Sequence, residues 1–509
     1  MKTAPNTEPS IPRHTASSAR HFTEIALVLI LILASGLRFY GLEYQGLWND
    51  ELASWAMSDK DSLRQVLRSA YQDNHPPGYH FFLYFVIRFF GDSEISLRFP
   101  SAICGVISVF WLFLLGRRLY SPKEGLLASA LLAVLWCPVF YSQMARVYSL
   151  LLLLGLMTVY FWVRLLEPTS TDRLRVRRCN AFLYISSAIA CSYLHYYGLY
   201  FVGLQGVAML FITSTNIKRL ALTMLIYACI VLAYVPWLRE MFKDLGGTYP
   251  WFGKPTIMYP VYYLQFFCNK SEPLLLVSVA ICLSAVFCSA LRFYKKPEKL
   301  ETVKHTLVVD GWVLAWLIAP FALVFVVSFF SKPLVKFYPF VYCVPALCLL
   351  LSRAVLSLPV GGKAQIVISS GLVGLFLYHL VVPMQFYSEP HIENYWNHPR
   401  WAQFREVVDF VAGSYKDYQP SILIVCPNAE FFDYYFRRQG ISTQTAVRAC
   451  VGSEISNVEE TLRKHKPKYV WYLYADSQPD ERLNRYFQDE FGFVMGKQFE
   501  CAGANLYLR

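Results

Sequence analysis

The sequence predicts a mainly α-helical, polytopic membrane bundle with a small α/β domain at its C-terminal end. Of its 509 residues 55% are hydrophobic and 17% aromatic while only 16% are charged, a balance too apolar for one soluble core. Apolar runs near the ~17–25 residues that a membrane-crossing helix needs recur from Ala26 to Val382, about eleven in all. Beyond residue 384 the pattern changes to short helical and strand-like segments in alternation.

The elements follow in order. Residues 1–23, with Lys2, Arg13 and Arg20, read as a disordered cytoplasmic tail, and the first run, 24–40, ends without a small-residue cleavage site and so reads as an uncleaved anchor. The remaining spans of the membrane domain, 24–384, fall at 98–116, 125–141, 146–164, 181–195, 198–214, 220–237, 273–291, 308–330, 335–352 and 365–383. With the N-terminus inside, the inner loops hold Arg117, Arg118 and Lys123, then Arg173 to Arg178, Lys218 and Arg219, Lys295 to Lys299, and Arg353 and Lys363, as retention of cations in the cytoplasm requires. Gly78 to Phe90 is short and contains Arg88, so it reads as an interfacial helix, one of two within a large outer loop at 41–97.

Residues 385–400 read as a linker and 401–509 as an α/β domain. That domain is expected to hold helices at Trp401–Ala412, Glu430–Arg438 and Glu481–Phe491 and strands at Ser421–Cys426, Tyr469–Tyr474 and Asn505–Leu508. An odd number of spans puts it outside the cytoplasm, in a multi-pass protein of the plasma (inner) membrane.

The formal net charge of +12 sits largely in short loops, where it sets orientation; no nucleic-acid partner is implied. Most of the 13 cysteines lie in apolar runs and behave as small hydrophobes, and no Cys-x-x-Cys pair or zinc-ligand spacing occurs. Cys426, Cys450 and Cys501 lie in the polar C-terminal region, where one disulfide of unassigned pairing suits an oxidising compartment.

The polar motifs gather at predicted outer helix ends. Asp50 and Glu51, in GLWNDELASWA, suit a helix start, with Asn49 or Asp50 as cap; they equally suit a carboxylate that orients and deprotonates an attacking hydroxyl. In HPPGYH the prolines make an extended turn before a helix, fixing His75 where its imidazole can donate to a phosphate oxygen. Arg146, in YSQMARVYSL, can snorkel from its helix end or clamp an anion through two parallel N–H groups. Tyr148, His195 and Tyr196 are candidate substrate contacts that also fit an aromatic belt, and Lys336, in KPLVKFY, faces the same surface.

At these residues the chain resembles the GT-C class of membrane glycosyltransferases, in the group of protein O-mannosyltransferases, lipid A aminoarabinose transferases and related bacterial enzymes. WNDE, HPPGYHFFLYFVIRFFG, SLRFPSAICGVISVFWLFLLGRRLY and YSQMARVYSLLLLLGL carry the resemblance, in order, over about the first 200 residues. It implies a GT-C bundle, a polyprenyl-phosphate sugar donor and inverting transfer at the outer face to a glycan, lipid or protein acceptor. It also implies Asp50 as catalytic base supported by Glu51, with Arg146 and His75 on the donor phosphate; the span near Lys336 departs from the Arg-Tyr pattern usual there. A divalent ion bridging carboxylate and phosphate fits the same arrangement. A lipid-linked sugar transporter or flippase is the competing class; paired repeats and Gly- or Pro-broken helices, which would mark it, are not evident. A polysaccharide polymerase or ligase would keep the donor and change the acceptor.

Overall fold

Apolar side chains on the outside of the molecule locate the membrane. The computed structural model describes residues 13–73, 75–167, 174–246, 254–295, 300–330, 333–387, 403–426, 429–441, 447–448, 455–475, 480–499 and 502–509. The first half of the bundle comprises α1 (Arg13–Phe39), α2 (Asn49–Ser58), α3 (Leu63–Ala70), α4 (Gly78–Phe90), α5 (Glu94–Leu119), α6 (Pro122–Val134), α7 (Trp136–Ser142) and α8 (Tyr148–Leu166). The second comprises α9 (Leu174–Leu194), α10 (Tyr196–Thr213), α11 (Ile217–Gly246), α12 (Tyr259–Phe267), α13 (Glu272–Lys295), α14 (Leu300–Phe330), α15 (Val344–Ser357), entered through a 3-10 turn at Tyr338–Cys343, and α16 (Gly362–Val381). Phe22, Ile25, Leu29 and Ile32 of α1 and Leu276, Leu283, Val286 and Phe287 of α13 are exposed, as side chains facing lipid are.

Among the described residues nine helices are long and apolar enough to cross a bilayer, ten when α6 and α7 count as one bent span. The eleventh expected span corresponds to α9, whose first turns carry Arg175, Arg177 and Arg178. Its two ends nevertheless lie on opposite faces. It follows Glu167, which pairs with Arg118 at the far end of α5, and it ends at His195, whose ring lies 5.1 Å from that of His75 in the loop between α3 and α4. The crossings from that loop to the C-terminal domain are therefore even in number, in keeping with the domain's docking on the loop.

Three expectations are corrected. Helix α1 starts at Arg13, so the described part of the expected disordered tail is helical; residues 1–12 lie outside the described residues. The 41–97 loop contains three helices rather than two, because Leu63–Ala70 forms a short amphipathic helix capped by Ser62 and buries Val66 and Ala70. The expected continuous span at 125–141 is broken at Leu135, where α6 and α7 meet at 60°.

That break lies within the apolar bundle, and two distant side chains satisfy it. Arg38, fully buried, donates from Nη2 to Leu132 O and from Nη1 to Ala133 O, each at 3.0 Å. Asn269 accepts the Trp136 N–H at 2.8 Å and donates to Phe376 O at 3.1 Å. Pro138 sits in the first turn of α7, where its missing N–H has no intrahelical partner to lose.

The C-terminal domain comprises α17 (Phe404–Tyr415), β1 (Ser421–Cys426), α18 (Ala429–Arg438), β2 (Val447–Arg448), α19 (Ile455–His465), β3 (Tyr469–Ala475), α20 (Glu481–Glu490), β4 (Gly492–Gln498) and β5 (Ala502–Leu508). Its sheet has the order β2-β1-β3-β5-β4, parallel from β2 to β3 and antiparallel through β5. Alternation along β3 divides the core: Val470, Tyr472 and Tyr474 pack with Ile422, Ile424 and Phe487, while Trp471 and Leu473 face the side of α17 and α18. Most of the expected linker (388–400), together with Cys450 and Cys501, lies outside the described residues.

Replacing Asn269 with alanine strands the Trp136 N–H in the bundle, at a cost of about 1–3 kcal/mol. Thermal unfolding in detergent should show that loss in Asn269→Ala, and an unchanged midpoint would mean that the N–H finds another acceptor.

Candidate active site

The start of α2 sets the site. The helix begins one residue earlier than a cap at Asn49 implies and two earlier than a cap at Asp50: Trp48 occupies the cap, and its N–H reaches Glu51 Oε2 at 3.4 Å. At about 100° per residue, consecutive side chains in the first turn point to different sides. Asp50 is 44% exposed and Glu51 0%.

Glu51 is held on all sides. Arg98 of α5 donates to it through Nε at 2.8 Å and Nη2 at 2.6 Å, and the Ala145 N–H, in the turn between α7 and α8, reaches Glu51 Oε1 at 2.7 Å. Arg98 spends its other donors on Leu42 O, Gln45 O and Gly46 O, at 2.6, 2.8 and 2.9 Å. Both oxygens of this buried carboxylate are thus occupied by protein donors. Glu51, expected in the catalytic pair as the support of Asp50, joins α2, α5, the 42–46 loop and the Ala145 turn through these bonds.

That turn delivers Arg146 to Asp50. Its Nη1 donates to Asp50 O at 2.9 Å and Ser54 Oγ at 2.8 Å, and its Nη2 lies 3.4 Å from Asp50 Oδ2. Its Nε is buried without a protein partner, so the guanidinium retains a donor. Burial alone would lower the pKa of Arg146, but Asp50 foremost, with Tyr148 and Asp73, raises it above the ordinary value. The guanidinium carbon lies 5.9 Å from the centre of the Tyr148 ring, which in turn packs against Tyr338 at 5.1 Å.

A histidine cluster adjoins. Asp73 Oδ2 lies 3.4 Å from His75 Nδ1 and 3.0 Å from His80 Nε2. Burial would raise the Asp73 pKa, but the two imidazoles outweigh it and hold the carboxyl far below its usual range. His195 caps α10, its Nδ1 accepting the Tyr197 N–H at 3.1 Å, so the neutral ring carries its proton on Nε2. Burial, with the charges of His75 and Arg146, keeps it neutral by lowering its pKa well below the ordinary histidine value. The ring of Tyr148 is 6.4 Å from that of His195. Gly78 permits α4 to approach the end of α9, since a Cβ there would lie 2.8 Å from the Tyr193 carbonyl carbon.

Asp50, Arg146, His75, Tyr148 and His195 thus form one neighbourhood linked by hydrogen bonds, ring contacts and charge. Tyr196 turns away from it, its hydroxyl accepting from Trp237 Nε1 at 3.3 Å beside α3 and α11. Lys336 is half-buried two residues before Tyr338, and burial lowers its pKa. Sequence reasoning missed Arg98, Ser54 and Asp73. A cation within SLRFP and an acid two residues before HPP were the available signals. Among the described residues no group of three His, Cys, Asp or Glu side chains could hold a metal ion.

Glu51→Gln leaves the Arg98 charge buried and only partly answered, at a cost of about 3–5 kcal/mol. The expected result is a large fall in the thermal midpoint; a variant as stable as the wild type would remove Glu51 from this structural role.

Comparison with known proteins bears on the whole arrangement. Residues 74–239 match the family described as dolichyl-phosphate-mannose-protein mannosyltransferase. A protein of Aquifex aeolicus (strain VF5), itself named only as uncharacterized, is 32% identical over 111 residues, and the match spans 21% of this chain and 22% of that relative. The fold matches ArnT from Cupriavidus metallidurans in the apo state, with a TM-score of 0.57 at 13% identity over 96% of this chain and 98% of that one. ArnT bound to undecaprenyl phosphate gives 0.58 at 12% identity, covering 94% and 97%. Archaeal oligosaccharyltransferase AglB from Archaeoglobus fulgidus, in complex with an inhibitory peptide and a dolichol-phosphate, gives 0.50 at 9% identity, covering 96% of this chain and 74% of that one. The chain therefore has the GT-C fold of these membrane proteins, and its residues 74–239 carry the sequence pattern of the dolichyl-phosphate-mannose-protein mannosyltransferase family.

Proposed function

We propose that this protein is an inverting glycosyltransferase that moves a sugar from a polyprenyl-phosphate carrier to an acceptor hydroxyl on a glycan, lipid or protein. The observation that carries this reading is the half-exposed Asp50 carboxylate fixed beside the Arg146 guanidinium at one end of a membrane bundle. ArnT has been seen with undecaprenyl phosphate and AglB with a dolichol-phosphate, and the same class of lipid phosphate is the sugar carrier proposed here.

The chemistry follows from the charges. Asp50 accepts the proton of the acceptor hydroxyl as its oxygen bonds to the anomeric carbon, while the bond from that carbon to the phosphate oxygen breaks and polyprenyl phosphate departs. A carboxylate need be only a weak base when the sugar departs through an oxocarbenium-like transition state and the proton moves late. Negative charge passes from the carboxylate to the phosphate during the step, and Arg146 is adjacent to the carboxylate that loses it. A guanidinium in a low-dielectric site stabilises such charge without reorganising. His75, pinned by Asp73, and the Nε2–H of neutral His195 are further donors for phosphate or sugar oxygens. Tyr148 forms a wall.

The membrane orientation proposed puts this face outside the cytoplasm, in the plasma membrane. At the other end of the bundle Arg117, Arg118 and Arg164 close α5 and α8 and Arg175, Arg177 and Arg178 open α9; with Arg353 they outnumber the acids Glu124, Glu167 and Asp310 there, and a basic end belongs inside.

With purified protein and a panel of polyprenyl-phosphate sugars, Asp50→Asn should reduce release of polyprenyl phosphate by roughly 10²-fold or more while the variant stays folded. Wild-type turnover in that variant would remove Asp50 from the mechanism.

A further inference from the structure

The loop that leads into α2 is irregular, yet its backbone is held from two sides. From the membrane domain, Arg98 takes Leu42 O, Gln45 O and Gly46 O. From the C-terminal domain, Arg405 of α17 donates to Glu43 O at 2.9 Å and Tyr44 O at 2.8 Å, and the Tyr435 hydroxyl of α18 accepts the Leu47 N–H at 2.6 Å. The same two side chains meet Glu94 at the start of α5, Tyr435 at 2.7 Å and Arg405 at 2.8 Å. Gly46 makes this fit: a Cβ there would lie 3.0 Å from the Tyr435 hydroxyl and 3.1 Å from Arg405 Cβ.

Helix α2 itself is clasped by the same surface. The Trp55 ring packs edge-on against Tyr434 at 4.9 Å and lies under the Arg437 guanidinium at 4.7 Å, and its Nε1 donates to Asp92 at 3.2 Å. Asp92 in turn accepts from Tyr434 and Arg438. Leu47 immediately precedes the cap of α2, and Asp50 follows within its first turn.

We infer that the C-terminal α/β domain sets the position of Asp50, with Tyr435 as the positioning residue that joins the domain to the catalytic loop. Tyr435 touches no reacting atom. It acts through Leu47, and the domain is thereby a working part of the site rather than an appendage. The kinetic consequence rests on the transferase reading; the mechanical one does not.

Hydrogen exchange of the full-length protein in detergent tests the mechanical link, using Tyr435→Phe, with Arg405→Ala as a second disruption and Arg463→Ala as a remote control. Both disruptions should speed exchange of residues 46–58 roughly three- to tenfold, the factor for one hydrogen bond, with residues 469–475 and the control unchanged. Unchanged protection of 46–58 in both variants overturns the inference. Tyr435→Phe should also lower kcat several-fold, with the KM for the polyprenyl-phosphate sugar within about twofold, whereas wild-type kcat beside accelerated exchange would overturn the catalytic coupling. Wild-type protein that transfers no sugar would defeat the transferase reading instead, and the exchange result would still decide the brace.

Discussion

A guanidinium taken out of water needs an acceptor for each of its N–H groups, and Arg98 has five: two carboxylate oxygens of Glu51 and the carbonyls of Leu42, Gln45 and Gly46. Those acceptors belong to α2 and to the loop before it, so one side chain of α5 fixes the path of the chain out of the first membrane helix. The remaining capacity of Glu51 goes to the Ala145 N–H, which fixes the turn carrying Arg146. Asp50 and Arg146, 96 residues apart in sequence, come within 3.4 Å because their neighbours Glu51 and Ala145 are bonded to each other. Buried pairs of this kind confer geometry more than stability. Here the geometry is that of a carboxylate and a cation held side by side.

Below this surface the bundle is also interrupted. A broken membrane helix is a feature of transporters, where free backbone groups at the break hold ions or substrate. At Leu135 the Leu132 and Ala133 carbonyls are taken by Arg38 and the Trp136 N–H by Asn269. The break is sealed within protein, and its effect is to redirect α7 so that Ser142 to Arg146 turn under α2. That favours chemistry at one face over passage through the bundle.

Much of this was legible in the sequence. Apolar length located the spans, short apolar runs located β1 and β3 closely, and the charged and histidine residues at helix ends pointed to one surface. What failed has physical causes. Which of two adjacent acids meets solvent and which a buried guanidinium depends on where Arg98 lies, and composition does not report that. The break at Leu135 has no glycine or proline at the hinge itself; Pro138, three residues on, was the only local signal. Helix α19 shows its buried face only through Val458 and Leu462 amid polar residues, and β4 is largely exposed, so both are faint in the sequence. The roles of Arg98, Arg405 and Tyr435 depend on contacts between segments distant in the chain, which no local pattern encodes.

A structure determined by electron cryo-microscopy with a polyprenyl phosphate bound is the most direct measurement of the central claim, that the Arg98–Glu51 tie presents Asp50 and Arg146 together to a phosphorylated carrier. The account expects the phosphate within about 3 Å of the Arg146 guanidinium and of the His75 ring, with Glu51 still engaged by Arg98. A phosphate bound away from Arg146, or Glu51 released from Arg98 to meet the ligand, would contradict it.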